Sequence, residues 1–519
     1  MALGRSRSVA LVGLEGRVVD VEADVAPGLP AFVLVGLPDA SLAESRDRVR
    51  AALRNARLDV PERRVTVNLS PASLPKHGTG FDVAVAVALL AAAGWIDPAS
   101  AARTVHLGEL GLDGGLRRVR GVLPALLAAA RAGCTRVLVA EGDAAEAALV
   151  PGLEVVSGSC LADVVRLHGG EPPQAPDGGG AAPAEAAAPP PGGGRAPAPV
   201  LDLADVAGQA SARHALEVAA AGGHHLLLLG PPGAGKTMLA ARLPGLLPDL
   251  DDEEAVEVTA VHSVAGRFDA RAGLVRRPPF EDPHHTASAA AVIGGGSRLP
   301  APGAASRAHR GVLFLDEAPE FASRVLEGLR QPLESGELVL ARSQGVARFP
   351  ARFQLVLAAN PCPCGRAVGK ALECSCTPLA RRRYLSRLSG PLLDRVDLQV
   401  QVDPVSRADV AAAGGAEASA AVAARVARAR AAQRERLAGT PWRCNGELPG
   451  QLLRGPLRLP ASATREVDSS LDRGLLTVRG YDRVLRSAWT LADLAGLARP
   501  DDEHVGQALH WRLDGAVAA

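Results

Sequence analysis

One eight-residue stretch constrains this chain more than any other. Gly230-Pro231-Pro232-Gly233-Ala234-Gly235-Lys236-Thr237 fits the spacing Gly-x₄-Gly-Lys-Thr without a gap. It follows an apolar run, His225–Leu229, and precedes residues that can continue as a helix. Strand, small-residue loop and helix in that order gather backbone N–H groups at a helix N-terminus, where the macrodipole also favours negative charge. That geometry binds phosphates. Lys236 is then expected to pair with the β- and γ-phosphates of ATP, and Thr237 to ligate Mg²⁺. The chain has only three lysines, Lys76, Lys236 and Lys370, against 54 arginines. A lysine at this position is therefore not a by-product of composition. A plain Gly-rich turn is the alternative, and it accounts for neither the strand nor the lysine.

Two further strands gain meaning from that loop. Gly311-Val-Leu-Phe-Leu-Asp316-Glu317 is apolar and ends in two acids. Asp316 suits the Mg²⁺ shell, and Glu317 suits polarising the attacking water. Phe353–Asn360 ends in one of four asparagines. Asn360 can orient the water beside the γ-phosphate. Alone, these acids mark a strand end and the asparagine a turn. Cys362-x-Cys364 and Cys374-x-Cys376 follow, separated by nine residues. Four thiolates satisfy a tetrahedral Zn²⁺. The C-x-C spacing is tighter than the commoner C-x₂-C, so four free thiols in a loop remain the alternative. His284-His285 reads more readily as a hydrogen-bonding or substrate-contacting pair than as a metal pair.

A chain of 519 residues has room for three or four domains. Residues 171–199 are Pro, Gly and Ala with almost nothing to bury, and read as a flexible linker. They separate 1–170 from 200–519. The first part alternates strands and helices. Val19, Val21, Ala23 and Val25 mark a half-buried strand, and Ala31–Leu37 and Val65–Leu69 two more. Ser41-Leu-Ala-Glu44 is a capping box opening a helix to about Ala56. Helices are expected over Phe81–Ala93 and Gly121–Ala132, with a strand at Arg136–Ala140. After about Pro404 the pattern turns helical: Ala408–Ala438, Ser462–Leu471, Arg479–Leu497 and Asp501–Leu513. The fold class is α/β with a helical C-terminal part.

Charge and composition exclude some functions. A net charge of +1 rules out a globally basic nucleic-acid coat but not a local patch. With 3% aromatics, stacking platforms for bases are disfavoured. The longest apolar run, Val83–Ile96, is shorter than the ~18–20 residues that span a bilayer. No signal peptide is legible, and clustered cysteines suit a reducing compartment, so a cytoplasmic protein without membrane contact is expected.

Several long stretches carry a resemblance: GLPAFVLVGLPDASLAESRDRVRAAL, VAGQ, AAAGGHHLLLLGPPGAGKTMLAARLP, PHHTASAAAVIGGG, GVLFLDEAPEF, ANPCPCG and RYLSRLSGPLLDRVD. Together they resemble the magnesium-chelatase-like AAA+ ATPases of the YifB/ComM family over nearly the whole chain. The resemblance implies a Lon-protease-like (ribosomal S5 domain 2-like) α+β domain at 1–170. It implies an AAA+ P-loop α/β core at 200–404, with an insert before the acidic strand and the Cys cluster. A C-terminal helical lid at 405–519 completes it. Asn360 becomes sensor 1, Arg395 the finger that reaches a neighbour's γ-phosphate, and Arg479 sensor 2, with Arg486 its rival. The first domain is not expected to be a protease. Gly80 stands where the Lon nucleophile would be, and the dyad lysine falls near Leu123.

The implied function is an ATP-hydrolysing hexameric ring motor. Its implied partner is DNA, single-stranded or branched, in helicase or branch-migration work such as natural transformation or recombination. Arg267, Arg271, Arg276 and Arg277 in the insert are the expected phosphate contacts. The alternative is chelatase-like, ATP-driven remodelling of a protein partner. Three positions depart from the family pattern: Glu281-Asp282 where Arg is usual, Ala304 in place of Glu, and Arg310 in place of Asn.

Overall fold

Hydrophobic alternation builds the first sheet. In the computed structural model Val19, Val21 and Ala23 share one face of the strand Glu15–Ala26 and are fully buried. The described residues are 3–36, 40–58, 63–72, 74, 76, 78–173, 201–296, 300–342, 345–367, 374–411 and 416–513. Most of the expected linker and the side chain of Ser41 in the expected capping box lie outside them. Seven strands form the sheet in the order Ala31–Val35, Arg64–Ser70, Glu15–Ala26, Leu3–Val12, Thr104–Leu107, Arg136–Ala140, Glu154–Gly158. Antiparallel pairing joins the second, third and fourth, and the remaining pairs are parallel.

The strand Leu3–Val12 escapes the sequence reading for a physical reason. Its inward positions Gly4, Ser6 and Ser8 are small rather than apolar, so no hydrophobic alternation marks them. Smallness is what the packing needs there. A Cβ on Gly4 would lie 2.0 Å from the Ala88 carbonyl oxygen. The Ser6 hydroxyl donates to Ala84 O at 2.6 Å. Both partners belong to the helix Asp82–Ala93, which is buried from Asp82 through Ala91. The longest apolar run is thus a core helix. Among the described residues no helix is long and apolar enough to cross a membrane.

The second sheet has five strands, all parallel, in the order Phe280–Glu281, Val312–Leu315, Gln354–Ala359, Leu226–Leu229, Leu398–Gln401. Each of the inner three is a near-continuous apolar run, as a strand covered on both faces requires. Leu226–Leu229 lies between Gln354–Ala359 and the edge strand Leu398–Gln401, and the chain order reverses around it. Its C-terminal end is therefore a topological switch point, where ligands of open parallel sheets bind. Between the acidic and asparagine strands the chain makes a hairpin, Glu337–Arg342 with Gly345–Pro350.

The two sheets are not independent beads. The buried Glu146 carboxylate of the first part accepts from Leu123 N and from Ser263 Oγ on the helix Asp252–Val264 of the second. Val12 and Leu14, at the first turn of the chain, pack on Leu340, Ala347 and Phe349 of the hairpin.

The C-terminal helices Ser419–Arg436 and Val478–Ala495 pack on the helix Ala210–Gly222, Asp502–Leu513 packs on the strand Leu398–Gln401, and Ala461–Asp472 packs on Asp502–Leu513. One buried ion pair anchors them. Asp397 accepts from Arg483 Nη1 at 2.8 Å and from His225 N at 2.8 Å. Burial alone would raise the Asp397 carboxyl. Arg483, with His224 and His225, outweighs burial and holds it well below the usual carboxylate range.

A depressed folded-state pKa stabilises above the unfolded value. The Asp397 contribution is complete above about pH 4 and is lost as pH falls towards the folded value. Replacing Asp397 with Ala leaves Arg483 uncompensated at the lid joint. We expect a loss of about 3–5 kcal/mol in chemical denaturation at neutral pH, and a smaller difference from wild type in acid.

Candidate active site

The register brings three strand ends to one edge. Leu229 pairs with Ala359, and Leu357 pairs with Leu315, so Gly230, Asn360 and Asp316 emerge side by side. Gly230 N donates to Ala359 O at 3.1 Å and begins the phosphate loop. Gly233 and Gly235 take positive φ values of 78° and 94°, which glycine adopts at no steric cost. A Cβ at either would meet nothing within 4 Å, so the loop is an open cradle. Lys236 and Thr237 are the first residues of the helix Lys236–Arg242.

Lys236 folds back into that cradle. Its ammonium donates to Gly230 O at 2.6 Å, Pro231 O at 2.9 Å and Asn360 Oδ1 at 3.0 Å. Burial pushes the ammonium down, partly offset by Asp316 and Glu317. Three neutral acceptors hold this buried charge, which is an arrangement that fits an incoming anion. Thr237 Oγ1 donates to Asp316 Oδ2 at 2.7 Å. Hydroxyl and carboxylate oxygens side by side suit a hard divalent cation such as Mg²⁺. Glu317 follows in the left-handed region, with φ of 51°, and its N–H donates to Asp316 Oδ1 at 2.9 Å. A non-glycine residue in that conformation stores strain of order 1–3 kcal/mol, and such residues concentrate at active sites.

Three further side chains stand around the loop and the acids. Gln209 Nε2 donates to Ala234 O at 3.0 Å and Asp403 O at 2.6 Å, bracing the phosphate loop from outside. Tyr384 is buried close to the site, and burial followed by Glu320 pushes its phenol up to about 12. His285 Nδ1 lies 3.1 Å from Glu317 Oε2. Strand pairing, not a sequence signal, puts His285 there. Glu281 pairs with Leu313, so the residue four further on falls beside Glu317.

Arg395 and Arg479 are elsewhere. Leu226 pairs with Leu398, so Arg395 precedes its strand at the edge opposite to the phosphate loop. A four-residue strand is about 13 Å long, too far for one side chain to bridge in the same subunit. Arg395 bonds Glu334 and Pro391 O, and its Nε has no partner among the described residues. Arg479 is exposed in the first turn of Val478–Ala495. Both line a cavity of about 670 Å³ between the sheet's N-terminal edge and the lid. Arg486 lines it too and is half-buried, donating to Gly446 O at 3.1 Å. Arg310 also reaches this cavity, and its φ of 59° is a conformation that asparagine adopts with less strain.

The four cysteines of the cluster converge. Their sulfurs all lie within 4.8 Å of one another, with Cys362 to Cys364 at 3.3 Å and Cys374 3.6 Å from each. Tetrahedral Zn–S bonds of about 2.3 Å put sulfurs about 3.8 Å apart, so the set can hold zinc. The loop leans on the phosphate loop: a Cβ on Gly365 would lie 2.5 Å from Pro232 Cδ.

Three family models match this chain. "Magnesium chelatase, subunit ChlI" covers residues 202–410, "Subunit ChlI of Mg-chelatase" 21–143, and "Magnesium chelatase, subunit ChlI C-terminal" 416–512. Competence protein ComM of Haemophilus influenzae is 41% identical over 513 residues, 99% of this chain and 98% of that protein. The chain belongs to the YifB/ComM family of magnesium-chelatase ChlI-like proteins. YifB of Escherichia coli is 38% identical over 522 residues, 99% of this chain and 97% of that protein. An uncharacterized protein of Mycobacterium tuberculosis is 51% identical over 516 residues, 99% of this chain and all of that protein. Family membership makes the chain an AAA+ ATPase of the ChlI type, which implies ATP and Mg²⁺.

Metal analysis of protein purified without a His-tag tests the cysteine cluster. We expect about one zinc per chain in the wild type and a clear loss in Cys374→Ser, because three thiolates leave the tetrahedral shell open. Equal zinc in both would count against the site.

Proposed function

We propose that the chain is an ATP-driven ring motor acting on DNA, in helicase or branch-migration work. The observation that carries the ring is polarity. Lys236, Thr237, Asp316, Glu317 and Asn360 gather at one sheet edge, while Arg395 and Arg479 line the other. Arg395 completes a neighbour's site rather than its own, which calls for head-to-tail contacts that close, six subunits in this reading. Within each site Lys236 holds the phosphates and Thr237 with Asp316 holds Mg²⁺. Glu317 takes the water's proton, and Asn360 orients that water. When bound, the metal neutralises charge between the β- and γ-phosphates.

DNA as the substrate rests on the competence name of the Haemophilus relative and on the insert's arginines. Those arginines are less free than their spacing suggests. Arg276 pairs with Asp252 at 2.7 Å, Arg277 with Asp249 at 3.7 Å and Arg267 with Glu281 at 3.3 Å. Exposed pairs of this kind are weak, so each guanidinium can exchange its carboxylate for a phosphate. The first domain serves as a scaffold of Lon-like fold. Gly80 offers no nucleophile, and Leu123 is fully buried. Chelatase-like remodelling of a protein is the second reading. The magnesium-chelatase 38 kDa subunit of Rhodobacter capsulatus favours it, at 29% identity over 178 residues, 31% of this chain and 51% of that protein.

Mutants separate these roles. Lys236→Ala should abolish nucleotide binding, and Glu317→Gln should bind ATP yet lose turnover. Arg395→Ala should also bind ATP without hydrolysing it. Mixing Arg395→Ala with Lys236→Ala subunits should restore part of the activity, because some interfaces then combine an intact loop with an intact finger. Absence of any recovery would contradict a shared site. For the substrate, branched DNA should stimulate ATPase in low salt, and Arg276→Ala/Arg277→Ala should weaken DNA affinity and flatten its salt dependence. If DNA neither binds nor stimulates, the motor reading gives way to protein remodelling.

A further inference from the structure

The stretch 361–390, which carries the cysteine cluster, holds five arginines and one lysine against a single acid, Glu373. The whole chain balances 57 basic residues with 56 acidic ones. Folding does not bring the missing acids in. Among the described residues Arg387 alone of the five meets a carboxylate, Glu320 Oε2 at 3.0 Å. Arg366, Arg381, Arg382 and Arg383 have none, and Arg381 Nε is buried without a partner. The insert is different, since Arg267, Arg276 and Arg277 each face an acid there.

A short helix sorts these arginines by face. Thr377 caps Pro378–Leu385, its Oγ1 accepting from Ala380 N at 3.2 Å. Tyr384 and, past the helix end, Leu388 are buried and fix the inward side. Residues three and four apart share a helix face, so Leu379, Arg382 and Arg383 stand together on the outward one. All three are exposed, Leu379 by 56%. The cysteine cluster holds the start of the helix. Cys376 lies two residues before it, with its sulfur within 4.8 Å of the other three. Zinc on four thiolates is net negative, and Arg366, two residues past Cys364, offsets part of that charge. Cations in a last helical turn are also favoured by the dipole. Neither effect gives Arg382 and Arg383 a counter-charge or Leu379 a cover.

We propose that this face binds single-stranded DNA, with Arg382 and Arg383 on backbone phosphates and Leu379 against a base or sugar. This rests on the reading of DNA as the motor's substrate and names a second contact surface for it. Guanidinium groups meet phosphate oxygens bidentately and without sequence preference. The leucine selects the form of the nucleic acid. A duplex keeps its base faces stacked inside and shows this helix only charged backbone, whereas a single strand exposes apolar faces between its phosphates. The contact lies one helical turn from Arg387, which donates to Pro319 O and to Glu320 in the turn that follows Glu317.

Charge and apolar contact leave different signatures in salt. Fluorescence anisotropy of a labelled oligothymidylate reads binding to the full chain, with Mg²⁺ and a slowly hydrolysed ATP analogue, over a salt series. A blunt duplex of the same length is the second probe. Arg382→Ala/Arg383→Ala should weaken single-strand binding about tenfold or more in low salt. The slope of log affinity on log salt should fall by about 1.4, two contacts at ~0.7 each. Arg382→Lys/Arg383→Lys keeps the charge and should keep the slope, with part of the affinity lost with the fork. Leu379→Ser should weaken binding a few-fold at every salt with the slope unchanged, because an apolar contact releases no counterions. Zinc content and size-exclusion chromatography check fold and assembly, and both should match wild type. The proposal is overturned if the alanine pair or Leu379→Ser binds the single strand as wild type does. It is also overturned if the alanine pair loses duplex binding equally, or fails to assemble, since the arginines then hold a neighbouring subunit. If wild type binds neither probe in low salt, DNA falls as the substrate, and this inference with it.

Discussion

Everything at the candidate site depends on the parallel pairing of Leu226–Leu229 between Gln354–Ala359 and Leu398–Gln401. Those three segments are distant in sequence, and only backbone hydrogen bonding sets their relative height. A slip of one residue would turn each side chain to the other face of the sheet. It would also carry Asn360 away from Lys236, whose bond to it is 3.0 Å long. Bonds at the two ends of the strand pin the register, from Gly230 N to Ala359 O and from His225 N to Asp397.

The same pairing gives the subunit two unlike edges. At the C-terminal edge an ammonium, a hydroxyl and two carboxylates surround an open loop. At the N-terminal edge arginines converge on a cavity, answered by Glu334, Asp394 and Asp482. The sheet keeps these sets from neutralising one another. Under the ring reading, this separation is what makes each subunit incomplete alone. Arg395 is meanwhile held by Glu334, a partner that it would exchange for a neighbour's phosphate under that reading.

Parts remote from the loop are tied to it mechanically. The Asp397–Arg483 pair joins the lid to the strand beside the phosphate loop. Glu146 and the Val12–Leu14 turn join the first domain to the helix and hairpin around the acidic strand. The cysteine loop touches Pro232 from the other side. Closely packed interfaces of this kind transmit displacement rather than absorb it.

The sequence by itself determined whatever depends on local order. The phosphate loop, the two acids after an apolar strand, the asparagine strand and the last three lid helices were legible because spacing and periodicity specify them. So was the core helix Asp82–Ala93. The expected helix Ala408–Ala438 is instead interrupted, with residues 416–418 outside any helix before Ser419–Arg436. Tertiary structure decided the rest. The strand Leu3–Val12 has a face of Gly4, Ser6 and Ser8, and its partner helix, not its own pattern, demands those small residues. Arg395 and Arg479 share one cavity because the parallel sheet has an N-terminal edge, which no local spacing reveals. The sequence offered the arginines of the insert as free positive charge, and folding set acids against three of them. His285 was visible as half of a histidine pair, but its partner Glu317 lies 32 positions along the chain. Strand register alone brings the two within hydrogen-bond distance, because pairing, unlike periodicity, is a property of two segments at once.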